Sequence, residues 1–188
     1  EDGIRDYKVT GVQTCALPIF LSFNYFDEYS LLISIILFFS LYFLHVAANT
    51  FNDYFDWISG RDKLNVDYVL FSTGGSRSID LKFISEKKML ILSILNLLVV
   101  FLLSLIIIYL RGVFIFFLGF LGVLCVYFYS APPIHLASRY GLGELMHIFC
   151  LGPLILYGSF YALTGISDFS NFFLGLPFGL LITCCLLL

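Results

Sequence analysis

Five amide and carboxylate side chains lie within one short stretch of this sequence, where a long apolar segment ends: Asn49, Asn52, Asp53, Asp56 and Asp62. On a helix, Asn49, Asn52 and Asp56 share one face, because they follow one another at steps of three and four residues, and Asp53 lies beside them. Oxygen ligands of this kind suit Mg²⁺, which takes one or two carboxylates and keeps positions for water and a substrate phosphate. The stretch therefore predicts a magnesium site.

A bland interpretation of the same stretch is a polar helix end that enters a solvated loop. It accounts for Asp62 but poorly for His45 and Asn49, which lie further inside the apolar segment. Ionisable groups in such a position are costly unless they face a bundle interior or bind an ion. A functional site is the better interpretation.

A second motif supplies the complementary charge. The loop Gly74-Gly75-Ser76-Arg77 combines glycines, which let the backbone approach an anion closely, with an Arg that offers a planar fork of donors. Alone this tetrapeptide is equally typical of a flexible solvated loop. Next to the acidic stretch it favours phosphate binding.

The elements that must position these groups are membrane helices. Of the 188 residues, 60% are hydrophobic and 12% are charged, and the mean hydropathy is +0.98, which is far outside the range of soluble domains. Apolar runs long enough for membrane crossing, or nearly so, predict an all-α multi-pass bundle; they span Ser30–Phe51, Met89–Leu110, Val113–Tyr129, Leu145–Leu163 and Phe172–Leu188. The pattern also predicts a tight turn at Arg111-Gly112 and a kink or close packing at Gly152-Pro153.

Basic residues are concentrated in alternate loops. Most lie in the connection Trp57–Lys88, with Arg139 in the next loop on that side and Arg111 alone on the other side. The positive-inside rule places both polar loops in the cytoplasm. The acidic stretch and the Gly-Gly-Ser-Arg loop are then on the same membrane face.

Residues 1–19 do not resemble the rest of the chain. The strings EDGIRD and VTGVQTCALPI, separated by two residues, are what a common sequencing-library adapter gives when it is read as codons. We interpret 1–19 as a non-native, adapter-like translation that contributes nothing to the fold, and 20–188 as the genuine protein.

Four segments together resemble the UbiA-type intramembrane aromatic prenyltransferases: NDYFDWISGRD, FSTGGSRSI, YSAPPIHLASRYGLGEL and FCLGPLILYGSFYALTG. The acidic spacing and the Gly-Gly-Ser-Arg loop are most similar to the menaquinone-precursor branch, the 1,4-dihydroxy-2-naphthoate polyprenyltransferases. The resemblance implies nine helices around a central cavity that opens sideways to lipid, in a multi-pass protein of the cell membrane. It also implies a polyprenyl diphosphate bound through Mg²⁺ and an aromatic acceptor that becomes prenylated.

The resemblance also assigns roles to individual residues. Asn52, Asp56 and Asp62 correspond to the catalytic residues that hold magnesium and diphosphate, with Asp53 as a further metal ligand beside them. The residues that correspond to substrate-binding positions are Arg77, Arg139, Tyr129, Ser130 and Asn49. His135 stands where relatives often carry Lys or Arg.

The chain also departs from the family pattern. Relatives carry a second acidic cluster after their sixth span, and residues 20–188 correspond to helices two to six of the expected nine. We therefore expect a domain truncated at both ends, and a polypeptide that by itself is inactive.

Two alternatives stay open at this point. The first is that the chain belongs to another branch of the family, in which hydroxybenzoate, haem or a glycerol phosphate is the acceptor. An ion-coupled transporter is the other alternative, since acids on a broken helix are typical of transporters. We expect no nucleic-acid partner.

Overall fold

The structure, a computed structural model, describes residues 16, 19–20, 30–61, 76–139 and 141–187. Asp62, Gly74 and Gly75, for which the sequence predicts roles, lie outside the described residues. Throughout the described ranges all regular secondary structure is helical, which confirms the predicted all-α class.

Helix α1 (Ser30–Ser59) is one continuous helix that carries the apolar segment together with Asn49, Asn52, Asp53 and Asp56. Ser30–Phe51 was the predicted span, and the helix continues for two more turns before it ends at Gly60, which has a φ of 77°. The acidic side chains are therefore held by regular helix rather than by a loop.

Helices α2 (Glu86–Arg111) and α3 (Phe114–Ser130) form the predicted hairpin around Gly112, whose φ of 90° a residue with a side chain rarely adopts. Helix α2 packs antiparallel to α1: the Trp57 indole N–H donates to Glu86 at 3.3 Å. Near the other end, Ile33 and Ile107 share one buried cluster. Helices α1 and α3 also meet near the acidic stretch, where Phe55 packs edge-to-face on Tyr127.

The next span is a broken helix, made of α4 (Leu142–Phe149), a π-helical turn (Cys150–Leu154) and α5 (Ile155–Thr164). The π turn contains Pro153, which lacks the N–H that an α-helical turn needs. This confirms the predicted irregularity at Gly152-Pro153.

Helix α6 (Ser170–Leu187) crosses this π turn at very short range. A Cβ atom added to Gly152 would lie 2.2 Å from the Gly175 carbonyl oxygen, and one added to Gly179 would lie 2.2 Å from the Ile148 carbonyl oxygen. The crossing is possible because both helices present glycine at the contact.

The main buried cluster joins α1, α2 and α5 and includes Ile33, Leu37, Ile107 and Leu163. Ile19 packs against it. An isoleucine beside an open apolar cluster buries its side chain whatever the origin of its segment, so the interpretation of residues 1–19 as a non-native segment that contributes nothing to the fold stays a prediction.

Within the described ranges, three helical segments are long and apolar enough to cross a membrane: Ser30–Ser59, Glu86–Arg111 and Leu142–Thr164. Phe114–Ser130 and Ser170–Cys184 are apolar but shorter. Much of the surface of α2 is exposed apolar side chain, such as Leu95, Leu98 and Leu102. Such a surface is typical of contact with lipid rather than with water.

Candidate functional site

The predicted acidic face is formed as a pair of side chains one helical turn apart. The Asn52 amide Nδ2 donates to Asp56 Oδ2 at 3.0 Å. On the other side of the amide, the Ser130 hydroxyl donates to Asn52 Oδ1 at 2.8 Å. Because the two contacts use opposite ends of the amide, Ser130 at the end of α3 fixes the orientation of Asn52 toward Asp56.

Asp56 has a second partner in Arg61. The Arg61 Nη1 atom lies 2.9 Å from Asp56 Oδ1, and both side chains are partly covered, at 30% and 19% exposure. Arg61 Nη2 also donates to His135 Nδ1, in the loop after α3. Arg61 thus connects the end of α1 to this loop.

His135 accepts the Arg61 hydrogen bond, which requires an unprotonated Nδ1. Burial, with the neighbouring Arg61 cation as the second cause, lowers the pKa of His135 below its ordinary value, and the Asp56 carboxylate opposes this in part. His135 is therefore neutral at pH 7. Its position does not supply the positive charge that Lys or Arg would supply there.

Asp53 lies on an adjacent side of α1 and points to a different partner. It is 8% exposed. The Ser76 backbone N–H donates to Asp53 Oδ1 at 3.2 Å, and the Ser76 hydroxyl donates to Asp53 Oδ2. The loop that contains the Gly-Gly-Ser-Arg motif is thereby joined to the acidic helix.

The two predicted diphosphate-binding arginines differ in their surroundings. Arg77 directly follows Ser76, has a φ of 48° and is 4% exposed, with its Nε 3.6 Å from Asp80 Oδ2. Arg139 is exposed and follows the short 3₁₀ turn at Leu136–Ser138. Their predicted contacts with diphosphate stay predictions.

The other predicted substrate-binding residues lie on α1 and α3. Asn49 is half-buried, one turn before Asp53. The Tyr129 ring, one residue before Ser130, stacks on the His147 ring of α4 with centroids 4.5 Å apart.

Sequence reasoning did not assign a role to Arg61 or to Ser76 individually. Arg61 occurred only as one of several basic residues, although its place five residues after Asp56, just past the helix end, brings it within reach of that carboxylate. Ser76 occurred only as part of its loop. No local pattern pairs it with Asp53, because the two are 23 residues apart.

An apolar cavity of about 500 Å³ lies between α1, α2, α3 and the π turn. Its α1 wall runs from Leu37 to Ala48, about 16 Å at 1.5 Å per residue. Ala48 is one helical turn before Asn52. The few polar side chains in its lining include Ser40, His45, Ser104 and Ser159.

The model of the UbiA prenyltransferase family matches residues 13–188, nearly the whole chain. The chain belongs to the UbiA prenyltransferase family. No curated protein and no solved structure matches it. Membership makes this a membrane prenyltransferase by family, with the all-helical bundle described above.

In the described part of this UbiA-family chain, Asn52 and Asp56 are the side chains that could hold a magnesium ion together. Both carry hard oxygen atoms, but Asn52 faces Asp56 with its amide N–H while its Oδ1 accepts from Ser130, so Asn52 would bind the ion only after its amide turns. Mg²⁺ in proteins needs few protein ligands when a substrate phosphate supplies others. Among the described residues, no three His, Cys, Asp or Glu side chains form a metal cluster. A magnesium ion here would rely on Asn52 and Asp56 as its described ligands.

Proposed function

We propose that this chain binds a polyprenyl diphosphate through Mg²⁺ and belongs to an enzyme that transfers the prenyl group to an aromatic acceptor within the membrane. One observation carries the proposal. The Asp56 carboxylate, in contact with the Asn52 amide, lies at the same end of α1 as one end of a long apolar cavity, whose α1 wall ends one helical turn before Asn52. A prenyl diphosphate has the same two parts, a highly charged head and an apolar tail.

The head of the donor needs positive charge, because departure of diphosphate leaves a carbocation and an anion of high charge. A bound magnesium ion supplies this charge and lowers the barrier to departure. Asp56 and Asp62 would hold it, and Asn52 would join them once its amide oxygen turns from the Ser130 hydroxyl toward the ion. Arg61 pairs with Asp56, and its hydrogen bond to His135 holds the guanidinium at the rim of the site.

The tail of the donor needs an apolar space that excludes water. The cavity wall is built from residues such as Leu41, Leu44, Val123 and Leu154. Water there would capture an allylic cation and hydrolyse the donor, so an apolar lining favours transfer over hydrolysis. The polar site lies at one end of the wall, so we expect the reacting carbon of the donor to lie near Ala48.

For the acceptor we propose the menaquinone-precursor class, a dihydroxynaphthoate. The spacing from Asp56 to Asp62 and the Gly-Gly-Ser-Arg loop support it. Hydroxybenzoate is the runner-up acceptor. We further propose that the protein lies in the cell membrane with both polar loops in the cytoplasm, on the distribution of Lys and Arg described above.

The donor is tested by photocrosslinking. The chain in lipid nanodiscs is irradiated with a diazirine-bearing prenyl diphosphate, and crosslinked peptides are identified by mass spectrometry. We expect crosslinks to the segments around Leu44 and Val123 that require Mg²⁺ and decrease with excess diphosphate. Crosslinks that are confined to the exposed face of α2, or that are unchanged by EDTA, would contradict the proposal.

The acceptor is tested separately, in a prenyl-transfer assay. Labelled farnesyl diphosphate is supplied with 1,4-dihydroxy-2-naphthoate or with 4-hydroxybenzoate. We expect the naphthoate to be prenylated at least about tenfold faster, because a pocket discriminates a missing ring by more than about 1.4 kcal/mol. Equal rates, or a preference for the benzoate, would refute the menaquinone assignment and leave the donor assignment intact.

A further inference from the structure

Asp53 is a buried carboxylate whose two oxygens are both in use. It is 8% exposed. Ser76 donates its backbone N–H to one oxygen and its hydroxyl to the other. A buried carboxylate needs such compensation, and here one residue of a distant loop supplies it.

The same serine also organises its own loop. The Ser76 hydroxyl lies 2.7 Å from the Ser78 hydroxyl, and the Ser78 N–H donates to Ser76 Oγ at 3.3 Å. Because Ser76 gives its single hydroxyl proton to Asp53, the Ser78 hydroxyl is the donor in the contact between the serines. The turn from Ser76 to Ser78 is therefore folded around the Asp53 carboxylate.

Arg77 lies inside this turn. Its backbone has a φ of 48°, a conformation that costs energy for a residue with a side chain, and its side chain is 4% exposed beside Asp80. Such a conformation persists only where neighbouring contacts determine it. The contacts of Ser76 with Asp53 and with Ser78 bracket Arg77 on both sides.

We propose that Asp53 is a positioning residue that anchors the Ser76–Ser78 turn to α1 and so fixes the backbone of Arg77 against the helix that carries Asn52 and Asp56. This inference rests on the proposed binding of a prenyl diphosphate. It differs from the role that the sequence predicts for Asp53, which is that of a metal ligand. In the positioning role the Asp53 carboxylate binds the loop, and the loop presents its cation to the diphosphate without having to be ordered on binding.

The test uses the 188-residue chain in nanodiscs, with farnesyl diphosphate as the probe. Four proteins form a cycle: the parent, Asp53→Ala, Ser76→Ala and the double variant. The dissociation constant is measured at saturating Mg²⁺, and the Mg²⁺ concentration for half-maximal binding is measured in parallel.

We expect each single substitution to weaken farnesyl diphosphate binding at least about tenfold, the typical effect of removing a hydrogen bond to a charged group. The double variant is expected to be no weaker than the poorer single variant, since both remove the same contact. The Mg²⁺ concentration for half-maximal binding stays within about twofold of the parent, because the metal ligands are unchanged.

Two further variants separate anchoring from a general loss of stability. Ser76→Thr keeps the hydroxyl and is expected to bind farnesyl diphosphate like the parent. Thr50→Ala on α1 removes a hydroxyl that bonds carbonyls of its own helix, and is expected to leave the dissociation constant unchanged.

Two results would overturn the positioning role. In the first, Asp53→Ala raises the Mg²⁺ concentration for half-maximal binding as much as Asp56→Ala does, while Ser76→Ala needs the same Mg²⁺ concentration as the parent. That result would make Asp53 a metal ligand. In the second, both single variants have a lowered unfolding temperature but bind farnesyl diphosphate with the dissociation constant of the parent. That result would make the Asp53–Ser76 contact purely structural. Failure of the proposed function is recognised earlier, as absence of Mg²⁺-dependent binding by the parent, and would overturn the positioning role with it.

Discussion

Replacing Asp56 by Asn is the substitution that the geometry constrains most tightly. The Asp56 carboxylate is 19% exposed, and it interacts with Asn52 through one oxygen and with Arg61 through the other. An Asn at this position keeps the size of the side chain and removes its charge. The helix is expected to be unaffected, so the effect falls on the cation.

The magnitude follows from the charges and their exposure. Two unit charges 4 Å apart interact by about 1 kcal/mol in water and by about 4 kcal/mol at the effective dielectric constant near a protein surface. The anionic diphosphate neutralises part of the Mg²⁺ charge, so for this partly covered site we take about 3 kcal/mol, between these two limits. In the parent protein Mg²⁺ must first displace Arg61, a pair worth up to about 1 kcal/mol. The net loss is about 2 kcal/mol, or about thirtyfold in Mg²⁺ affinity.

The assay is Mg²⁺-dependent binding of farnesyl diphosphate by the chain in nanodiscs. The Mg²⁺ concentration for half-maximal binding is expected to rise about thirtyfold in Asp56→Asn. The matched control is Asp168→Asn, the same chemical change at an exposed carboxylate in the loop before α6, where Asn also accepts the Ser170 N–H. A shift below about threefold in Asp56→Asn, or an equal shift in the control, would refute the magnesium assignment.

Three further predictions test other parts of the structure. Arg77→Lys keeps the charge but loses the planar fork, so farnesyl diphosphate binding should weaken about tenfold. Lys87→Ala, at an exposed site, should change that binding less than about twofold. Equal effects of the two substitutions would mean that the loop acts only through diffuse charge. The pKa of His135 is lowered in the folded chain, so on acidification His135 takes up a proton in the unfolded chain first, and the unfolding temperature should fall as the pH falls below about 6.5. His135→Gln should remove part of that fall. A variant with the same pH profile as the parent would contradict the neutral His135. Gly152→Ala places a Cβ 2.2 Å from a carbonyl oxygen of α6 and should lower the unfolding temperature strongly. Gly119→Ala, where a Cβ meets nothing within 4 Å, should leave the unfolding temperature unchanged. Equal unfolding temperatures of the two variants would refute the close helix crossing.

The helices and one half of the site were predictable because both depend on local spacing. The apolar runs predicted the ends of α1, α2 and α3 within a few residues, except that α1 extends to Ser59. The Asn52–Asp56 contact follows from a spacing of four residues on a helix. Likewise Pro153 indicated the break in the fourth predicted element, although not that it takes the form of a π turn.

The other half of the site depends on contacts between distant residues. Arg61 meets His135 across 74 residues, and Asp53 meets Ser76 across 23. Both loops use a residue with a side chain in the left-handed region, Arg77 and His135, each with a φ of 48°. No sequence preference marks these positions, because Gly and Asn are the residues that usually announce such a turn.

The most direct test compares two ligands with the same tail. Farnesyl diphosphate and farnesol are titrated into the chain in nanodiscs, each with Mg²⁺ and with EDTA. With Mg²⁺, farnesyl diphosphate is expected to bind at least about a hundredfold more tightly than farnesol, and EDTA is expected to remove most of that difference, because the cation links the diphosphate to Asn52 and Asp56. Equal affinities for the two ligands, or tight diphosphate binding that EDTA leaves unchanged, would contradict a magnesium-dependent prenyl diphosphate site on α1.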